Sequence, residues 1–136
     1  MPAPVGVGIL NFSPARSEAT ALLQLADVVV VNEAELAVIA DQPLPAATLM
    51  VVTRGAGGAE VRRAASRTSV PSPPSRAVDT TGAGDCFLGV VAGWLAGGAE
   101  LEGAVTAGCA AASLQVTRPG AALAMPRRDE ILARLP

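Results

Sequence analysis

Residues 27–31 read DVVVV, a continuous β-branched run with no polar alternation. A strand of that kind has to be buried on both faces, which is the situation of a strand inside a parallel sheet covered by crossover helices. A second such run, residues 48–53 (TLMVVT), follows after residues 33–40, which carry a short helical pattern. Ahead of both lies the apolar run 5–10, broken over residues 11–15 with Pro14; Ser17 then offers a cap for a helix over 18–25. Strand, helix, strand, helix, strand predicts an α/β fold with a doubly wound sheet.

The rhythm changes after the glycine-rich turn at residues 55–58. Residues 59–65 and 67–70 alternate polar and apolar, which predicts an antiparallel hairpin at the sheet edge. Pro71, Pro73 and Pro74 make a stiff connector that a central strand excludes. Residues 83–96 and 101–116 carry apolar side chains at helical spacing on either side of Gly97 and Gly98, and residues 127–135 read as a last helix behind Pro126. The most apolar stretch, 86–99, stops at Glu100, short of the ~20 residues a bilayer span requires. It reads as a buried helix, and no membrane partner is expected.

Composition narrows the chemistry. The chain has 136 residues, ten basic against twelve acidic for a net charge of −2, and no His; all ten basic residues are Arg. Without His there is no imidazole base or ligand, and without Lys no Schiff base or phosphate-binding lysine. Any acid or base must be Asp or Glu, and any anion must be held by Arg or by backbone N–H groups. A near-neutral chain with two Phe and one Trp has neither the basic stripe nor the aromatic platforms of nucleic-acid binders. Cys86 and Cys109 make no disulfide framework, and the start shows no signal-peptide pattern. Two reduced thiols in a cytoplasmic protein are expected.

One segment concentrates these constraints. Residues 78–85 (VDTTGAGD) lie between the proline connector and the longest apolar helix. Gly82 and Gly84 let the backbone turn sharply and approach a ligand, while the helix behind them contributes free N–H groups and the positive end of its dipole. Asp85 falls in the first helical turn, where a carboxylate could take a proton from a hydroxyl attacking a held phosphate. A purely structural use is equally open on spacing alone, with Thr81 capping the helix and Asp85 complementing its dipole. A dinucleotide fingerprint through Gly55 and Gly57 fails, because its third glycine would fall at Glu60.

DTTGAGDCF (79–87) closely resembles the C-terminal signature of the ribokinase family, the PfkB-type carbohydrate kinases. ILNFSPA (9–15), NEAE (32–35), VTRGAGGA (52–59) and VTRPGA (116–121) resemble further family segments in the same order. The resemblance implies a three-layer α/β/α sandwich and ATP-dependent phosphorylation of a sugar hydroxyl, with ribose suggested by ILNFSPA and VTRPGA. Asp85 would be the catalytic base, and the N–H groups of Gly82, Ala83 and Gly84 would hold the transferring phosphate. Asn32 and Glu35 match the pair that organises Mg2+ and the ATP phosphates, although Asn followed three residues on by Glu is also a capping box. Thr53, Gly55 and Gly58 match the turn that lines the nucleotide. Cys109 falls where the family sets a helix residue against adenine, and a buried thiol is the alternative there. Asp79, Thr81, Gln115, Arg118, Gly120 and Ala124 match an oxygen cage for a monovalent cation, K+, in which Arg118 needs only its carbonyl.

Family members are longer, and the match begins around their middle. The chain is therefore expected to be the nucleotide-binding, catalytic part of a ribokinase-like domain over residues 1–136, with the N-terminal sugar-binding half and the lid lying outside it. Two functions follow: the catalytic part of a sugar kinase, partnered by a separate N-terminal fragment or by a second copy as a homo-oligomer, or a non-catalytic nucleotide-binding or interaction fragment.

Overall fold

The computed structural model describes residues 6–136. Its strands are β1 (Ile9–Asn11), β2 (Val28–Asn32), β3 (Leu49–Thr53), β4 (Ala59–Arg63) and β5 (Ser66–Val70), and its helices α1 (Glu33–Ile39), α2 (Ala83–Ala96), α3 (Leu101–Gln115) and α4 (Arg128–Arg134). Short 3-10 helices stand at Ser17–Leu25, Gly55–Gly57 and Ala122–Ala124. The strands form one sheet in the order β1-β2-β3-β4-β5, with β1 to β3 parallel. Only two residues join β4 to β5, too few for a crossover, so this edge pair is antiparallel. The chain divides into two compact units, one running to Arg54 and including Glu60–Thr68, the other made of Gly55–Ala59 and Ser69–Pro136.

In the first unit, Val28, Val29, Val30 and Val31 are all 4% exposed or less, so β2 is buried on both faces as its composition demands. The register pairs Val29 with Met50 and Val31 with Val52, which places these four on one face. Phe12, Leu23 and Ile39 close over them as one cluster.

Several boundaries differ from the sequence reading. The first strand begins at Ile9 and takes in Asn11, which had been read as part of the break; Val5 lies outside the described residues. The cause is a clasp in which Gly8 N–H donates to Asp27 Oδ2 at 2.7 Å and Asp27 N–H returns to Gly8 O at 2.9 Å. That clasp sets Ile9 against Val28 and starts β2 one residue after Asp27. Ser17 does not cap an α-helix. Residues Ser17–Leu25 form a 3-10 helix entered from Arg16, and the Thr20 hydroxyl takes the Ser17 carbonyl at 2.9 Å, competing with the main-chain ladder. The first hairpin strand ends at Arg63, because Ala64 and Ala65 make the turn. Ala64 stands at φ +44°, and no Gly or Asn signals the bend.

The second unit is helical. Cys86, Ala107, Ala110, Ala111 and Ile131 form its buried cluster, bordered by Val90, Trp94 and Leu135. Helices α2 and α3 approach closely at Gly108, where a Cβ would lie 2.8 Å from Phe87 Cδ2 and 2.9 Å from Val91 Cγ2. Arg128 of α4 covers the Trp94 ring, its guanidinium carbon 5.0 Å from the ring centre. Among the described residues no helix is long and apolar enough to cross a membrane.

Candidate active site

β2 and β3 both end on polar residues. Asn32 pairs in register with Thr53 at the carboxyl ends of the two parallel strands, the end at which open α/β sheets bind ligands. Asn32 is also the N-cap of α1. Its Oδ1 accepts the Glu35 N–H at 2.9 Å, and Glu35 Oε2 accepts the Asn32 N–H at 2.8 Å, so the capping box is formed. These bonds use one polar atom of each side chain and leave Asn32 Nδ2 and Glu35 Oε1 for other partners. Capping and ligand binding are compatible on the same pair. Thr53 is half-buried, its hydroxyl donating to Val31 O at 3.4 Å.

Arg54 is a residue that sequence reasoning missed. Its Nε lies 3.4 Å from Glu33 Oε1, and its Nη2 donates to Glu60 Oε2 at 2.9 Å, tying the start of α1 to β4. Arg62 also hydrogen-bonds Glu60, and this pairing, joined by Arg54, holds the Glu60 carboxyl below the usual carboxylate range. Nothing in the spacing of Arg54, Glu33 and Glu60 announces the bridge, since it exists only once β4 lies where it does.

The turn after β3 depends on glycine at one position above all. Gly58 has φ +85°, and a Cβ there would stand 2.1 Å from Val70 O and 2.7 Å from Ser72 N. Gly55 has φ +54° and open space around it, and its carbonyl accepts the Gly58 N–H at 3.0 Å.

The loop ahead of α2 supplies the free donors. Gly82 is the N-cap of α2 at φ +77°, so the cap is a glycine and Thr81 does not fill that role. Ala83 N–H donates to Thr80 O at 3.2 Å, whereas Gly82 and Gly84 have no such backbone partner among the described residues. The anion hole read from sequence therefore has two unengaged donors, with the third drawn into the turn. Asp85 follows within the first turn of α2, exposed to solvent.

This loop is tied to the segment after α3. Asp79 Oδ1 accepts the Thr81 N–H at 2.9 Å and Oδ2 the Gly120 N–H at 2.9 Å, and these bonds hold the Asp79 carboxyl below its ordinary range. From the other side, Gln115 Nε2 donates to Thr81 O at 2.6 Å and to Gly120 O at 3.3 Å. Val116 O accepts the N–H groups of Val78 at 2.7 Å and Asp79 at 3.1 Å. Of the six residues read as a cation cage, Asp79, Thr81, Gln115 and Gly120 are thus joined directly. Arg118 N–H donates to Gln115 O at 3.1 Å, and its side chain pairs with Glu130, which reaches back to the Arg127 N–H at the start of α4. Ala124 is fully buried in its 3-10 turn. Cys109 is 4% exposed on α3, and burial pushes its thiol up to about 11, so it is a neutral packed side chain.

The sequence model of the pfkB family carbohydrate kinase matches residues 6–128. The chain belongs to this family. Every residue that the sequence assigned to the site lies within the matched span. The chain is 33% identical over 129 residues to the ribokinase of Bacillus subtilis (strain 168), covering 90% of this chain and 44% of that one. Ribokinase from Thermotoga maritima superposes with a TM-score of 0.84 at 31% identity, over 95% of this chain and 48% of that one. A double mutant of the fructokinase from Vibrio cholerae O395, in its fructose, ADP and potassium ion bound form, gives 0.70 at 32% identity, over 85% and 42%. The chain spans less than half the length of each of these relatives.

Proposed function

We propose that this chain carries the phosphate chemistry of an ATP-dependent sugar kinase, with ribose as the favoured sugar and a companion segment supplying the sugar grip. The observation that supports it most is the placement of Asp85 in the first turn of α2, directly after the unengaged N–H groups of Gly82 and Gly84. Phosphoryl transfer asks little covalent work of a protein and depends on positioning and charge stabilisation. Gly82 and Gly84 N–H groups would hold the equatorial oxygens of the transferring group, where fixed donors act without reorganising. Asp85 would accept the proton of the sugar hydroxyl as its oxygen attacks the γ-phosphorus in line, and ADP would leave. A carboxylate and backbone amides fill the roles for which this chain has no His or Lys.

Mg2+ brought with the nucleotide would neutralise charge on its phosphates, and the donor set fits: Glu35 Oε1 can take a metal-bound water and Asn32 Nδ2 a phosphate oxygen. The K+ expected from the family resemblance does not fit the ring as it stands. Gln115 Nε2 lies within hydrogen-bond reach of two of the carbonyls assigned to it, Thr81 O and Gly120 O, and stands in the space from which an ion would bridge them.

Ribose over fructose rests on the segments 9–15 and 116–121, and the two sugars are separated by comparing kcat/KM. The proposal is tested by a coupled assay of ADP release with this chain and a companion N-terminal fragment. Asp85→Asn should lower turnover by about 10²–10⁴-fold while calorimetry finds ATP binding retained. If the wild-type chain binds ATP and neither form turns over under any pairing, the non-catalytic nucleotide-binding reading replaces this one.

A further inference from the structure

Gln115 ends α3 with its side chain wholly buried, 0% exposed. An amide so placed has to find partners, and its two N–H bonds reach the carbonyls of Thr81 and Gly120, on two different loops. Its orientation is dictated by those neighbours: turned round, Oε1 would stand against two acceptors with no hydrogen between them. Gln115 Nε2 therefore occupies the space from which both oxygens are in reach. An ion coordinated by the same two oxygens would need that space.

Other groups of the ring are engaged as well. Both oxygens of the Asp79 carboxylate accept main-chain N–H groups, from Thr81 and Gly120. Thr81 and Gly120 are thus each gripped twice, by N–H to Asp79 and by C=O to Gln115. The Gln115 carbonyl is taken by Arg118 N–H, and Gln115 Oε1, buried and without a hydrogen-bond partner, lies on the side of the amide away from the two carbonyls it serves.

We propose that the side-chain amide of Gln115 takes the place of the monovalent cation, so that the loop carrying Gly82 and Gly84 is set by a residue of the chain itself and is indifferent to K+. The replacement stands on this ring alone. Only its consequence, nucleotide binding that does not depend on K+, rests on the function proposed above. The exchange is not neutral in charge. A bound K+ would offset the Asp79 carboxylate beside an anion-binding loop, whereas an amide offers two hydrogen bonds and no net charge.

The test is run without nucleotide, so that its failure is distinguishable from failure of the kinase reading. Thermal unfolding is measured in potassium, sodium and tetramethylammonium chloride at equal ionic strength, and Tl+ is titrated as a K+ probe by thallium NMR. The wild-type chain should show no ion-specific shift and no saturable Tl+ site. Gln115→Ala vacates the space and should gain both, with a rise in unfolding midpoint of roughly 5 °C when K+ stands about tenfold above its dissociation constant. Should that variant fail to fold, Gln115→Glu sets a carboxylate against the two carbonyls and should fold better in K+ than in tetramethylammonium. A K+-specific shift or saturable Tl+ binding in the wild-type chain overturns the proposal. So does a folded Gln115→Ala, or failing that a Gln115→Glu, that shows no response to K+.

Discussion

The junction of β2 with α1 and the loop ahead of α2 both offer polar groups to a ligand, but they are built on different length scales. At the junction, Asn32 and Glu35 hold each other through bonds spanning 3 residues, and what they present are side chains. At the loop, what is presented is main chain, held by Gln115 and Asp79 through bonds spanning 34 and 41 residues. The first arrangement needs only its own helix turn. The second exists only if α3 and the turn behind it are in place, so it reports the state of a whole unit. Disturbing each region should therefore produce different kinds of damage.

The largest effect is expected from Gly82→Ala. At φ +77°, with Ala121 Cβ 3.0 Å from where the new Cβ would sit, the substitution forces a left-handed alanine against a neighbour. A cost of about 1–2 kcal/mol for the conformation alone is expected, with a matching fall in thermal midpoint and loss of ATP binding by calorimetry. If ATP binding survives while stability falls, the loop is a brace and not an anion site.

Next comes acid. A carboxyl whose folded pKa is lowered adds stability that is complete above its unfolded value, near 3.9, and is lost as pH falls through the lower folded value. Asp79 is such a group, through the N–H bonds of Thr81 and Gly120, and Glu130 is another, through Arg118. Wild-type stability should therefore decline below about pH 4, and Asp79→Asn should be less stable at neutral pH yet show a shallower acid decline. Denaturant titrations across that range check it. A variant whose decline matches the wild type would remove Asp79 from the account.

Asn32→Ala should cost less, about 1 kcal/mol for a lost N-cap, measured by chemical denaturation, and the amide resonances of Thr81 and Gly120 should stay put in NMR spectra. Movement of those resonances would mean that the junction is not the self-contained device its short bonds suggest. The smallest effect concerns Cys109. With its thiol raised to about 11 and the side chain buried, iodoacetamide at neutral pH should modify it only after unfolding, as read by mass spectrometry.

The same contrast of scale governs what could be read in advance. DVVVV and TLMVVT became β2 and β3 to within a residue, because burial on both faces leaves a plain mark in composition. The pair Asn32 and Glu35 and the glycine turn ahead of Asp85 were legible for a similar reason, since capping and left-handed turns are decided locally. Ser17 is no cap because the turn is entered one residue earlier, at Arg16, and runs as a 3-10 helix, a shift of start that a helical pattern does not mark. Ala64 and Ala65 gave no sign of a turn, since the bend there is imposed by strand pairing. Arg54 could not be assigned to Glu33 and Glu60 before β4 was placed. The family resemblance put Gln115 in the cation ring for its main chain, and only the fold shows that its side chain enters the ring too.

Gly108 has a mechanical consequence. α2 is 14 residues long, about 21 Å at 1.5 Å per residue, and it meets Gly108 of α3 at Phe87 and Val91, around its middle. That contact is a fulcrum. Any wedge inserted there tilts a stiff rod, and one arm of the lever ends in the turn bearing Gly84 and Asp85. The aim of the Asp85 carboxylate is thus set partly by the absence of one methyl group on α3.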